Sequence, residues 1–217
     1  VSAKKKYQFD KNKFIKGHQV EKYNNFINNA LSAVSIPGNL ILPASKKKNK
    51  NQKNKILGIN PGASYGNAKR WYPKEFANVA SDLSDIYDIL IFGGDAEKDI
   101  AADIEKYLIE KGVTNYQNLS AQTSISQLID YISTLDLFIT GDSGPMHIAA
   151  AYQIPTVSVF GPTNDKETSQ WKNTNGIILK KNLDCQPCMK RSCPLKHHNC
   201  MKFLESSDVL EAVQKFN

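Results

Sequence analysis

From residue 56 to the end, apolar positions fall into two alternating patterns. Short unbroken apolar runs suit strands buried on both faces, and the stretches between them carry apolar residues at helical spacing. The pattern predicts strands at 56–60, 88–92, 116–119, 135–140, 155–160 and 176–179. It predicts helices at 73–83, 96–111, 126–133, from about 145 to 152, and 207–216. Such alternation implies βαβ units, hence a parallel sheet joined by right-handed crossovers in an α/β fold. Before residue 56 the signal is weaker. Residues 1–17 lack periodicity, whereas Val20, Tyr23 and Ile27 fall at helical spacing and predict a short amphipathic helix from about 18 to 31. Pro37 and Gly38 break it, and 40–43 is at best a small strand. Residues 45–55 are almost wholly Lys, Asn and Gln, too polar to bury a face of their own. The chain divides into a leading piece, 1–44, a basic linker, 45–55, and an α/β body, 56–217.

A parallel sheet brings the carboxyl ends of its strands to one edge, where open α/β sheets bind ligands. In order, those ends read Asn60-Pro61-Gly62-Ala63-Ser64, Gly93-Gly94-Asp95, Ser120-Ala121-Gln122-Thr123, Thr140-Gly141-Asp142-Ser143-Gly144 and Gly161-Pro162-Thr163. Small residues and hydroxyls dominate, which lets backbone amides approach a ligand closely. One such turn is ordinary punctuation; five on one edge point to a nucleotide or sugar-nucleotide cleft.

The turn leading to His147 is the centre of that edge. Ser143 or Gly144 can cap the following helix, Pro145 opens it where an N–H would be unpaired anyway, and the helix end offers amides and positive dipole to an anion. Asp142 can accept hydrogen bonds from amides or a sugar hydroxyl. His147 can face the same cleft, although a lone His at a helix start also serves as a cap or a packed side chain. Lys69 and Arg70 can neutralise a diphosphate or form a solvated pair before a helix. Asp95 and Glu97, beside Gly94, can hold a ribose diol or simply favour a helix dipole. The glycines are not followed by Gly-Lys-Ser/Thr and form no G-x-G-x-x-G, which disfavours a P-loop and a dinucleotide oxidoreductase.

A net charge of +7 would ordinarily raise nucleic acid or an anionic membrane as partner. Its distribution changes the picture. Residues 1–55 hold 13 Lys against two acids, a balance of +11, while the remainder carries 15 basic against 19 acidic residues, or −4. Basicity thus belongs to the leading piece, as a solvated tail and linker or as a surface for phosphorylated lipid. The acidic body and the lack of aromatic-basic interleaving disfavour nucleic acid. No apolar run reaches the roughly 18 residues needed to span a membrane. Val1-Ser2-Ala3-Lys4 has neither Met nor an apolar segment behind it, so the sequence reads as a fragment without a signal peptide. Cys185, Cys188, Cys193 and Cys200 form a C-x2-C-x4-C-x6-C cluster containing His197 and His198. Packed thiols, adventitious disulfides and a structural zinc clip all stay open, since the spacing matches no standard zinc module.

Several of these pieces together resemble the ADP-heptose:lipopolysaccharide heptosyltransferase family over about 56–201. They are Asn60-Pro61-Gly62-Ala63 with Ala68-Lys69-Arg70-Trp71, the turn at 119–123, Thr140 through His147, Phe160-Gly161-Pro162-Thr163, and Cys185-Gln186-Pro187-Cys188 with its downstream cysteines. The resemblance implies a GT-B enzyme with two Rossmann-like domains facing a cleft. The C-terminal domain takes the ADP-sugar donor; the N-terminal domain takes the acceptor and supplies an aspartate thought to be the general base. This chain would then be the donor domain preceded by the tail of the acceptor domain, able to bind ADP-heptose but lacking that aspartate and inactive alone. The resemblance further implies inverting heptose transfer to the lipopolysaccharide inner core, with no metal or other cofactor required. It implies a cytoplasmic enzyme peripheral to the inner membrane and touching anionic lipid.

Carried over by motif, Lys69 and Ser64 meet the diphosphate, and the Gly144 amide with its helix cradles phosphate. Asp142, Ser143 and His147 line the sugar and diphosphate, with Lys69, Asp142 and His147 forming the catalytic group. Gln122 and Thr123 border the adenine, and Gly94 with Asp95 or Glu97 lies near the ribose. A related transferase for another sugar and a non-catalytic nucleotide-binding module are the alternatives.

Overall fold

The computed structural model describes residues 5–43, 53–62 and 65–216. In chain order it runs α1 (Gln19–Leu31), β1 (Lys55–Asn60), α2 (Pro73–Leu83), β2 (Tyr87–Ile91), α3 (Lys98–Glu110), β3 (Tyr116–Asn118) and α4 (Ile125–Ile132). There follow β4 (Leu137–Gly141), α5 (Gly144–Ala151), β5 (Thr156–Val159), α6 (Asp165–Thr168), β6 (Gly176–Leu179), α7 (Asn199–Lys202) and α8 (Ser206–Gln214). Short 3-10 turns at Asn67–Lys69 and Asp95–Glu97 follow β1 and β2.

The six strands form one sheet in the order β3-β2-β1-β4-β5-β6, every neighbouring pair parallel. This is the doubly wound Rossmann-like order, and the α/β expectation holds. The physical cause is visible in burial: β1, β4 and β5 are buried on both faces, so each face has a covering layer. On one face α2, α3 and α8 contribute Phe76, Ile104 and Val213 to the larger core. On the other, Ile132 of α4 and Ala149 of α5 pack with Phe92 and Phe138.

The leading piece is fastened to the body through polar contacts. His18 caps α1 with its Nδ1, while its Nε2 lies 2.9 Å from the Ser169 carbonyl and its ring packs, tilted, against Trp171 at 4.7 Å. Lys22 pairs with Glu167 at 2.6 Å, and Trp171 Nε1 donates to the Gly38 carbonyl. No strand forms at 40–43: Ile41 is largely exposed, and an apolar triplet with no partner edge gains nothing by extending. The helix expected from 96 begins at Lys98, because Asp95–Glu97 tightens into the 3-10 turn. Most of the expected linker, 45–52, lies outside the described residues, and its last residue, Lys55, opens β1.

Candidate functional site

The strand order reverses between β1 and β4, so their outgoing connections part and leave a crevice over their carboxyl ends. A cleft of about 440 Å³ occupies it, walled by the turns after β1, β2 and β4, the start of α4, and Thr168 of α6. That volume suits a nucleotide-sized ligand.

Lys69 reaches the cleft from the 3-10 turn after β1, and Asp142 from the end of β4. The ammonium lies 2.6 Å from Asp142 Oδ2 and donates to the Asp142 carbonyl at 2.9 Å. Both side chains are almost fully buried, at 11% and 6% exposure. Oδ2 nevertheless has no hydrogen bond of acceptable angle, so this contact is one of charge more than of direction. An arriving anion can therefore compete with the carboxylate for the ammonium without breaking an aligned bond to Oδ2, while the bond to the Asp142 carbonyl stays in place. His147 stands in the first turn of α5, on the same wall. Burial pulls its imidazole below the ordinary value of 6.5, Asp142 opposes that shift, and His18 and Lys69 reinforce it. The ring is neutral near pH 7 and offers one donor and one acceptor.

Ser143 is the N-cap of α5, but its hydroxyl makes no capping bond. It meets Asn60 Nδ2 and Thr140 Oγ1, each at 3.1 Å, which ties the ends of β1 and β4 together. The first turn of α5, opened by exposed Gly144 with Pro145 after it, faces the cleft with its positive end.

Glycine is required where β1 meets the turn after β2. A Cβ on Gly62 would lie 2.1 Å from Glu97 Cγ, and one on Gly93 would lie 2.9 Å from Glu97 Cβ. The two glycines admit Glu97, which is buried, accepts the Gly94 N–H at 2.8 Å and stands 3.8 Å from Arg70. Asp95 instead points to solvent and pairs with Lys98 at 2.8 Å. A 3-10 turn projects the two acids in different directions, which spacing alone does not reveal.

Of the residues singled out from sequence, Lys69, Gly94, Glu97, Thr123, Asp142, Ser143, Gly144 and His147 share this cleft. Asp95 and Gln122 are not among its walls; Gln122 bonds the Asn118 carbonyl and faces a separate depression beside Tyr116. Ser64 lies outside the described residues. The sequence reading placed Asn60 at this edge without giving it a role, and it missed Tyr65, Ile125, Leu128 and Thr168; all five are on the wall. Asn60 had a visible signal, being a polar residue that ends an apolar strand; Thr168 had none, because a four-residue helix shows no period.

The cysteines are free, three half-buried and Cys200 buried. Burial first, then the neighbouring sulfurs of Cys188, Cys193 and Cys185, push the Cys200 thiol up to about 11. Among the described residues no three Cys, His, Asp or Glu side chains converge as a metal shell requires. The zinc clip therefore does not fit this arrangement of side chains.

The model of glycosyltransferase family 9 (heptosyltransferase) matches residues 4–199. The chain belongs to that family. It is 46% identical to lipooligosaccharide heptosyltransferase 2 of Campylobacter jejuni serotype O:6, over all of this chain and 70% of the relative. The solved Escherichia coli ADP-heptose lps heptosyltransferase II superposes with a TM-score of 0.66 at 23% identity, covering 90% of this chain and 51% of that one. Escherichia coli heptosyltransferase WaaC, solved with ADP, gives 0.69 at 15% identity over 93% of this chain and 58% of its own. The chain thus spans about half the length of these structures. The likeness establishes the fold alone, a Rossmann-like α/β arrangement that this chain shares with part of each of these heptosyltransferase structures.

Proposed function

We propose that this chain binds ADP-heptose in the cleft over β1 and β4 and is the donor side of an inverting heptosyltransferase of the lipopolysaccharide inner core. One observation carries the reading. The buried Lys69 ammonium, paired by charge with the Asp142 carboxylate and bonded to the Asp142 carbonyl, stands beside the N-terminal turn of α5, so two phosphates would meet a cation and a positive helix end together. The names of the relatives support the sugar and the acceptor class.

In this reading Lys69, Ser64 and the Gly144 amide take the diphosphate. Asp142, Ser143 and the neutral His147 face the sugar and its bridge to phosphate. Glu97 and Gly94 take the ribose, and Thr123 with Ile125 and Leu128 borders the adenine. An acceptor hydroxyl attacks the anomeric carbon from the side opposite ADP. The bond from that carbon to the phosphate oxygen breaks, the electron pair leaves with ADP, and configuration inverts. Lys69 and the α5 dipole stabilise the charge that grows on the departing diphosphate, a role for fixed charge that works best in a buried site. The hydroxyl proton goes to a base on the acceptor side, which the resemblance assigns to an aspartate of the other domain.

Residues 1–44 are read as the end of that acceptor domain. Support comes from α1, whose Ile27 and Leu31 remain 46% and 60% exposed, as expected of a face meant for another partner. Among the described residues no helix is long and apolar enough to cross a membrane. We read the contact with the cytoplasmic face of the inner membrane as one made through the lysines of the leading piece, whose charge balance is strongly positive.

Calorimetric titration with ADP-heptose, ADP, ADP-glucose and UDP-glucose tests the reading. ADP-heptose and ADP are expected to bind, and UDP-glucose at least about tenfold more weakly. EDTA should change nothing, because Lys69 and the helix end supply the positive charge. Preference for UDP-glucose, or binding of none of the four, would refute the donor assignment. Equal affinity for ADP-glucose would keep the nucleotide and remove the heptose.

A further inference from the structure

The segment from Cys185 to Cys200 contributes no wall to the cleft, yet it grips the piece of chain that carries Lys69. Ala68 donates its N–H to the Arg191 carbonyl at 3.0 Å, and the His198 ring binds the Ala68 carbonyl at 3.0 Å. A carbonyl only accepts, so His198 Nε2 carries the proton and Nδ1 accepts from the Tyr72 hydroxyl at 3.2 Å. Both backbone groups of Ala68, the residue just before Lys69, are therefore held by this one loop. Tyr65 adds a third tie, donating to the Met189 carbonyl at 2.8 Å. Its ring is within cation–π distance of two cations, Lys69 Nζ at 5.0 Å and the Arg191 guanidinium at 5.4 Å, so its orientation bears on where the ammonium sits. The approach is close: a Cβ on Gly66 would come within 2.4 Å of the Arg191 carbonyl oxygen.

The loop is itself held in an unfavourable shape. Met189, Lys196 and His198 all adopt left-handed backbone, with φ of 55°, 58° and 54°. Side-chain-bearing residues resist that region unless the surroundings impose it. His198 is further fixed by its own N–H, which reaches Cys193 Sγ at 3.4 Å.

We propose that the cysteine-rich loop is a strap that positions Lys69 for the donor diphosphate, with His198 as its fastening residue. His198 touches no substrate atom; it acts through Ala68, one residue from the ammonium-bearing side chain. The inference rests on the donor-site reading, since a strap on Lys69 matters only if Lys69 meets the diphosphate.

Titration of the whole chain with ADP tests it. His198→Ala is expected to weaken ADP binding by about fivefold or more, and His198→Gln, whose amide still donates to the Ala68 carbonyl, by less than about twofold. Lys202→Ala, an exposed change on the neighbouring α7, should leave binding unaltered. In a Lys69→Ala background, adding His198→Ala should cost nothing further, because the group it positions is gone. A folded His198→Ala protein that binds ADP at full strength would overturn the strap. So would an equal loss in the Lys69→Ala background, which is the outcome of a merely structural role. Should His198→Ala fail to fold, Tyr65→Phe replaces it with the same two outcomes, since it deletes only the hydroxyl that bonds Met189. A wild-type chain that ignores ADP sinks the donor reading, and the strap falls with it.

Discussion

Lys69 and Asp142 are each other's neutralising partner in a site almost closed to water. Removing one leaves the other charged and buried, so Lys69→Ala should destabilise the fold by about 3 kcal/mol, measured by denaturant unfolding. Replacing both, as Lys69→Met with Asp142→Leu, should recover most of that loss while ADP binding stays weaker than in the unaltered chain. Unchanged stability in Lys69→Ala would mean that the pair is solvated. His147 gives a pH signature. Its folded pKa lies below the ordinary 6.5 mainly through burial, so the unfolded chain binds the proton more readily. Stability is fully present above about pH 6.5 and declines as pH falls below it, and His147→Gln should flatten that part of the profile. A slope that survives in His147→Gln would assign it to another group. At this scale the sequence was informative wherever chemistry sat at a strand end: Lys69, Asp142, Ser143, Gly144 and His147 were all legible. Tyr65 and Leu128 were not, because an aromatic or a leucine beside a helix start looks like ordinary core.

The elements show where local pattern stops deciding geometry. Strands and long helices emerged from hydrophobic period within a residue or two, as in α2 and β6. The 3-10 turn at Asp95–Glu97 carries no period, so which acid turns inward was settled by packing against Gly62 and Gly93. Gly62→Ala should therefore push Glu97 out of the wall, destabilising by about 1 to 3 kcal/mol and weakening ADP binding. Thermal unfolding of Gly62→Ala with Glu97→Ala, which has no Cγ to collide, should show part of the stability restored. If the second change brings no recovery, the close approach of the two is not the cause. The missing strand at 40–43 makes the same point from the other side, since three apolar residues fix no edge to pair with.

At the scale of the molecule, alternation alone foretold a parallel sheet, but the order β3-β2-β1-β4-β5-β6 comes from tertiary pairing that no local pattern encodes. The switch point between β1 and β4 is what turns separate polar turns into one cleft. The docking of α1 through His18, Lys22 and Trp171 was equally invisible, because its partners lie more than 140 residues away. Charge segregation, +11 over residues 1–55 against −4 beyond, predicts that the chain binds vesicles containing anionic lipid at low salt and is released as ionic strength rises. Cosedimentation that is insensitive to salt, or equal on neutral vesicles, would contradict an electrostatic contact. The central claim concerns the cleft itself and is reached most directly by titrating ¹⁵N-labelled chain with ADP and following backbone amide shifts. The account predicts that Lys69, Asp142, Gly144, Met146 and His147 shift together and saturably. Shifts confined to the depression around Gly112 and Tyr116, or no saturable shift at all, would contradict it.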